Sequence, residues 1–122
     1  MKLGELTETV VGRAIEVHRR LGPGLRESPY RAALALELAE AGLRVERGIS
    51  LPILYKGRAV GVHPLDLVVE GELAVDVRTA PPPAPAAQSP VLQALRAARR
   101  KAWLLLDFSR ASLADGLARF VL

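Results

Sequence analysis

The segment His63–Ala80, HPLDLVVEGELAVDVRTA, narrows the choice of fold more than any other part of the chain. Its two apolar runs, Leu65–Val69 and Leu73–Val77, flank the turn Glu70-Gly71-Glu72. Short runs rich in valine and leucine around a glycine turn predict a β-hairpin. We therefore expect two adjacent strands here, at the centre of the domain.

Each predicted strand carries one acid among apolar residues, Asp66 in the first and Asp76 in the second. A carboxylate in such surroundings is costly to bury unless it is paired or holds a metal. Two acids placed this way across a hairpin can meet at one end of the sheet, as the oxygen ligands of a divalent metal do. Arg78 points to the same strand face as Asp76. The alternative is that each acid is a solvated edge residue or half of an ion pair.

Composition bounds the class of protein. The 122 residues are half apolar, which suits one domain with one core. No apolar run is long enough to span a bilayer and no secretory signal is visible, so we expect a cytoplasmic protein without membrane contact. The absence of cysteine excludes disulfides, thiolate metal sites and a cysteine nucleophile. The net charge of +4 is compatible with a nucleic-acid partner, or with the composition of a GC-rich genome.

Two helices are predicted in the first third of the chain. An apolar stripe at three- and four-residue steps predicts the first over residues 5–20, and the breakers Gly22-Pro23-Gly24 end it. The second starts after Glu27, with Ser28 as its cap and Pro29 at its first position. Glu27 is either an acid favoured by the helix dipole or an acid that leans towards the two strand acids.

A proline-rich stretch and a basic helix follow the central hairpin. Five of the nine prolines fall in residues 79–90, which predicts an extended or mobile loop. The third helix is predicted from Val91 to Lys101, with Ser89-Pro90 at its start. Its C-terminal half is either a solvated basic end, favoured by the dipole, or a surface that contacts nucleic-acid phosphates. The cations concerned are Arg96, Arg99, Arg100 and Lys101.

The remaining runs are predicted as strands, which gives a single α/β domain with a mixed sheet flanked by helices. Pro52 indicates an edge strand, and the continuous apolar run AWLLLDF is typical of a central strand. A short helix that Ser112 can cap runs through Gly116 and precedes the last element, a strand or helix end. The predicted strands outside the hairpin are Leu43–Arg47, Ile49–Tyr55, Ala102–Phe108 and Leu117–Leu122. The run Ala59–Val62 is predicted to begin the strand that leads into Asp66.

One motif carries a family resemblance. The segment AIEVHRRLGPGLRESPY resembles the opening of the GxxExxY family, with the motif itself at Gly24–Tyr30. The likeness continues in order through ALALELAEAGLRVER, LPILYKGRAVG, LDLVVEGELAVDV, LLLDF and LADGLARFVL, nearly the whole chain. That family is similar to the PD-(D/E)xK nuclease superfamily.

The resemblance implies a restriction-endonuclease-like fold and a phosphodiesterase site that uses Mg²⁺ or Mn²⁺. Carried over residue by residue, Asp66 is the first acid, Asp76 the second and Glu27 the acid from the helices. The two aspartates and the backbone carbonyl of Val77 are the implied metal ligands. The metal would lower the pKa of an attacking water.

The chain departs from the family pattern at three places. Arg78 stands where the family has lysine; arginine stays protonated and cannot act as a base, although it can bind phosphate. Pro90 takes the place of a glutamine on the following helix, for which Gln88 or Gln93 could substitute only with a shift. The proline-rich loop replaces a segment that is normally polar.

These departures favour a nuclease-like protein with a degenerate metal site, which acts as a nucleic-acid-binding module or as an assembly module in a homodimer. The alternative is an active Mg²⁺- or Mn²⁺-dependent nuclease in which Arg78 replaces the lysine. A third interpretation is a subunit that binds another protein through the proline loop or the C-terminal strand.

Overall fold

A computed structural model describes residues 1–122 as one α/β domain with three α-helices and a five-stranded mixed sheet. The predicted fold class is therefore confirmed. The elements are α1 (Leu3–Leu21), α2 (Glu27–Glu40), β1 (Val45–Tyr55), β2 (Arg58–Val69), β3 (Leu73–Arg78), α3 (Pro85–Ala97), β4 (Ala102–Asp107), a 3₁₀ helix (Leu113–Gly116) and β5 (Leu117–Val121).

The strands lie in the order β1-β2-β3-β4-β5. Every neighbouring pair is antiparallel except β3 and β4, which run parallel and are connected through α3. A parallel pair needs such a crossover because its strands cannot be joined by a tight turn. All six residues of β4 are buried, which confirms the prediction of a strand covered on both faces.

Two apolar clusters cover the two faces of the sheet. Alternate residues of β3 and β4 point to opposite faces, so Leu104 belongs to one cluster and Trp103 to the other. Helices α1 and α2 supply the helical part of the first cluster, and α3 supplies that of the second. The chain thus forms three layers, with the sheet between α1/α2 and α3. None of the helices has the length and apolarity that crossing a bilayer requires.

Several predicted boundaries in the first half are wrong. Helix α2 begins at Glu27, and Ser28 lies in its first turn instead of capping it; the N-cap is Arg26, which makes no side-chain capping bond. The two predicted strands before residue 55 are one strand, β1, which continues through Gly48 at a positive φ of 63°. By contrast, the run at 59–62 begins the strand that leads into Asp66, as predicted, because Arg58–Val69 form the single strand β2.

The proline-rich segment is only partly a loop. Helix α3 begins at Pro85, six residues before the predicted start, and ends at Ala97 instead of Lys101. Pro85 fits the first turn because its missing N–H has no helical partner there. Pro90 lies inside the helix, so Ser89-Pro90 is not its start. The C-terminal segment forms the edge strand β5, and β1, which contains Pro52, is the other edge as predicted.

Candidate functional site

The two aspartates meet where β2 and β3 separate. The regular pairing of these strands ends at Leu67 and Val75. Beyond that pair, the backbone N–H of Asp66 donates to Oδ1 of Asp76 at 3.0 Å, and the N–H of Val77 donates to Oδ2 of Asp66 at 2.7 Å. Two side-chain carboxylates therefore take the place of backbone acceptors at the fork. The structure brings the two acids together at one end of the hairpin.

Asp76 is buried and accepts two further hydrogen bonds. The indole Nε1–H of Trp103, on β4, donates to Oδ2 of Asp76 at 3.1 Å. His63 Nε2, on β2, lies 3.0 Å from the same oxygen, and the His63 ring meets Trp103 edge to face. Its donors come from both neighbouring strands, β2 and β4, so the carboxylate ties β3 to each of them.

Arg31 stands between the helix acid and the strand acids. Its Nη1 lies 3.1 Å from Oδ1 of Asp66 and 3.8 Å from Oε2 of Glu27, which is one helical turn earlier on α2. Burial raises the pKa of Asp66, and the charge of Asp76 raises it further. The hydrogen bond from Val77 and the charge of Arg31 lower this pKa, but they only partly offset the burial.

The superfamily that the chain resembles uses a divalent metal, and the residues present do not fit one as they are arranged. Each of the four oxygens of Asp66 and Asp76 already accepts a hydrogen bond from the chain. One of the donors is the Arg31 guanidinium, whose positive charge repels a cation. No three side chains of His, Asp or Glu lie close enough together to hold a metal ion. This donor set fits a closed polar network.

A cleft of about 350 Å³ opens beside the network. Its walls come from α2, the adjoining ends of β2 and β3, Trp103 and Leu105 of β4, and the apolar pair Ala87 and Val91 of α3. Arg78 lines the cleft; its Nη2 donates to the carbonyl of Pro81 at 3.3 Å, and its Nε is buried without a partner. Gln88 is buried and donates to the carbonyl of Pro83, so it does not reach the cleft.

The predicted basic cluster lies at the other end of β3. Arg100 donates to the carbonyl of Gly71 at 2.8 Å, and Lys101 forms an ion pair with Glu72 at 2.8 Å. At about 3.3 Å per residue, Glu72 is roughly 13 Å along the strand from Asp76. Arg96 is exposed at the end of α3, and Arg99 follows the helix with a positive φ of 60°. The structure does not bring these four cations to Asp66 and Asp76.

Three residues of the site, Arg31, Trp103 and His63, were not predicted from the sequence. Arg31 had a usable signal, because it lies four positions after Glu27 on one helix face, where opposite charges attract. Trp103 reads as a core residue, since nothing in the sequence shows where its N–H points. His63 opens the central segment but has no local partner; only the pairing of β2 with β3 brings it to Asp76.

No curated protein and no solved structure matches the chain. A family model described as the PD-(D/E)XK nuclease superfamily matches residues 4–120, in agreement with the mixed sheet and its flanking helices. The match covers nearly all of the chain, which therefore belongs to the PD-(D/E)XK nuclease superfamily.

Proposed function

We propose that this chain is a nuclease-fold protein of the GxxExxY type whose metal site is degenerate, and that it binds nucleic acid without cleaving it. The observation that carries the proposal is the arrangement of Asp66 and Asp76. Their carboxylates accept hydrogen bonds from the chain itself, and the Arg31 guanidinium stands beside Asp66 at 3.1 Å. Glu27 lies 3.8 Å from the same Nη1 atom, so the helix acid and Asp66 share one positive charge.

Arg78 supports the loss of catalysis and the retention of binding. It holds the place of the superfamily's lysine and lines the cleft. A guanidinium does not give up its proton, so it cannot take a proton from an attacking water. Its planar donors nevertheless match phosphate oxygens, and its Nε–H has no partner within the protein. Because that Nε is buried, a phosphate in the cleft would reach it only after the side chain moves.

Charge supports the same class of partner. The chain has 17 Lys and Arg against 13 Asp and Glu. The cleft holds three acids, Glu27, Asp66 and Asp76, and two cations, Arg31 and Arg78, so the excess of positive charge lies outside it. An excess of cations attracts a polyphosphate backbone and raises the rate of association.

Fluorescence anisotropy with labelled oligonucleotides tests this function. We expect binding of the same strength in EDTA and in Mn²⁺, with no shortening of the oligonucleotide on a denaturing gel in either. Arg78→Lys restores the family residue and serves as a control. We expect it to stay inactive because Arg31 and the hydrogen bonds on the acids remain. Cleavage by the wild-type chain that disappears in Asp76→Ala would overturn the proposal.

A second candidate, an active metal-dependent nuclease, is favoured by one observation. Glu27, Asp66 and Asp76 all line the same cleft, as the three acids of such a site would. For this candidate, Arg31 would have to leave Asp66 before a cation could enter. The same gel separates the two candidates, since only this one yields Mn²⁺-dependent products.

A further inference from the structure

Strand β2 outgrows its neighbour β3. The ladder between them covers only Leu67–Val69, whereas the pairing of β2 with β1 continues to Tyr55 and Arg58. The residues from Ser50 to Pro64 therefore form a two-stranded ribbon that has no third strand beside it. We name this ribbon the hairpin arm. A two-residue turn closes it, with Lys56 and Gly57 both at positive φ.

The hairpin arm and its base carry only positive charge. Residues 47–65 contain no Asp or Glu, so all thirteen acids of the chain lie elsewhere. The cations in this stretch are Arg47, Lys56 and Arg58. Lys56 lies in the turn and Arg58 directly follows it; both are exposed and form no ion pair within the chain. Their charge is thus available to a partner of opposite sign.

One face of the hairpin arm is covered and the other is open. Leu51 is buried against α3, and Ile53 is partly buried on the same side. On the remaining surface, Tyr55, Val60 and Val62 keep 62 to 65 % of their area exposed. Apolar side chains concentrated on a projecting ribbon mark a contact surface. Beyond the part held by α3, the tip is free on both faces.

We propose that the tip of the hairpin arm enters the major groove of double-stranded DNA, with Lys56 and Arg58 on the flanking phosphates. A two-stranded ribbon fits the major groove of B-form DNA, which is about 12 Å wide. The corresponding groove of an RNA duplex is too narrow for side chains to read. The basic, acid-free tip complements the phosphates on both sides of such a groove.

The position of the arm relative to the cleft supports this partner. His63 belongs to the hairpin arm, where it pairs with Leu51, and it also lines the cleft beside Asp76. The arm therefore projects from the rim of the nuclease-like site. A duplex whose backbone lies over Arg78 would run past the arm. The inference rests on the proposed function, because it names the surface and the kind of nucleic acid.

The test compares two double variants that each remove two positive charges. Lys56→Gln with Arg58→Gln changes the arm. Lys2→Gln with Arg119→Gln changes two exposed residues outside it, on α1's N-cap and on β5. Affinity for a labelled DNA duplex is measured by anisotropy at several salt concentrations. We expect the arm variant to lose about tenfold in affinity or more, and its log K against log salt slope to fall by about one to two.

The outcomes separate this inference from the proposed function. No binding of any nucleic acid by the wild-type chain removes the proposed function and the inference with it. DNA binding that falls equally in both double variants overturns the inference about the hairpin arm and leaves the proposed function intact. Equal affinity for duplex DNA and duplex RNA overturns the assignment to the major groove.

A second copy of the chain is the rival occupant of the open face. Sedimentation of the wild-type chain and of Val60→Ser with Val62→Ser decides this point. We expect both to be monomers. A wild-type dimer that the valine variant dissociates, together with unchanged DNA affinity in the arm variant, would assign the surface to self-association and overturn the inference.

Discussion

At the fork between β2 and β3, the side chains of Asp66 and Asp76 each accept a hydrogen bond from a backbone N–H of the opposite strand. The Asp66 N–H donates to Asp76 at 3.0 Å, and the Val77 N–H donates to Asp66 at 2.7 Å. Both N–H groups would otherwise lose their ladder partners where the strands diverge, and an unpaired buried amide is costly. The two acids that the superfamily pattern assigns to a metal therefore have a structural role in this chain.

The first prediction concerns the stability of Asp76→Ala. This change leaves the backbone N–H of Asp66 and the indole N–H of Trp103 without an acceptor. We therefore expect it to lower the free energy of unfolding by about 2–4 kcal/mol. Urea denaturation followed by the fluorescence of Trp103, the single tryptophan, measures the effect. Asp115→Ala, at an exposed acid of the 3₁₀ helix, is the control and should stay within about 0.5 kcal/mol of wild type.

The same experiment discriminates against a metal centre. Two carboxylates gathered for a cation repel each other when no cation is bound. Removing one of them would then stabilise the metal-free protein. A rise in stability for Asp76→Ala in EDTA would therefore count against the closed network.

The second prediction concerns the pH dependence of stability. Burial raises the pKa of Asp66 above its value of about 3.9 in an unfolded chain. Between these two pKa values the folded state binds more protons, so the free energy of unfolding falls as the pH rises. The contribution is fully present below about pH 3.9 and is lost as the pH passes the folded-state pKa. Asp66→Asn cannot titrate and should lack this contribution.

Denaturation of wild type and Asp66→Asn over a series of pH values measures the difference. The stability of wild type relative to the variant should decrease with rising pH across the acidic range and then level off. Two parallel curves would mean that the pKa of Asp66 is not raised.

The third prediction concerns two glycines. A Cβ at Gly116 would collide with the backbone carbonyl and the Cβ of Asp107, so Gly116→Ala should destabilise the fold by more than about 1 kcal/mol. Gly12 lies inside α1 with open space around its Cα. Gly12→Ala should raise stability by about 0.5–1 kcal/mol because alanine loses less backbone entropy in a helix. Thermal denaturation of both variants checks the packing of the 3₁₀ helix; equal effects would contradict it.

Periodicity was enough to predict the fold class, because each helix has an apolar face and the run in β4 is apolar throughout. It was not enough for the start of α3. Prolines indicate a loop, yet Pro85 fits the first turn of a helix and Pro90 is tolerated within it because the helix packs on the sheet. Local rules describe the chain in isolation, and tertiary contacts decide such cases.

Within the site, the sequence was sufficient to place Asp66 near Asp76, since hairpin geometry relates them directly. It was not sufficient to show what surrounds them. Trp103 reaches Asp76 only because β4 pairs in parallel with β3, although all of α3 separates the two strands along the chain. Arg31 reaches Asp66 only because α2 packs over the end of β2. Long-range partners of this kind leave no periodic trace.

The central claim is that the Arg31 guanidinium and backbone N–H groups bind the carboxylates of Asp66 and Asp76 in place of a metal. Calorimetric titration with Mn²⁺ of the wild-type chain, Arg31→Ala and Asp66→Ala tests it most directly. We expect no binding by wild type or Asp66→Ala at millimolar Mn²⁺, and measurable binding by Arg31→Ala, in which Glu27 and Asp66 are no longer separated by a cation. Binding by the wild-type chain that Asp66→Ala abolishes would contradict the claim and establish a metal site.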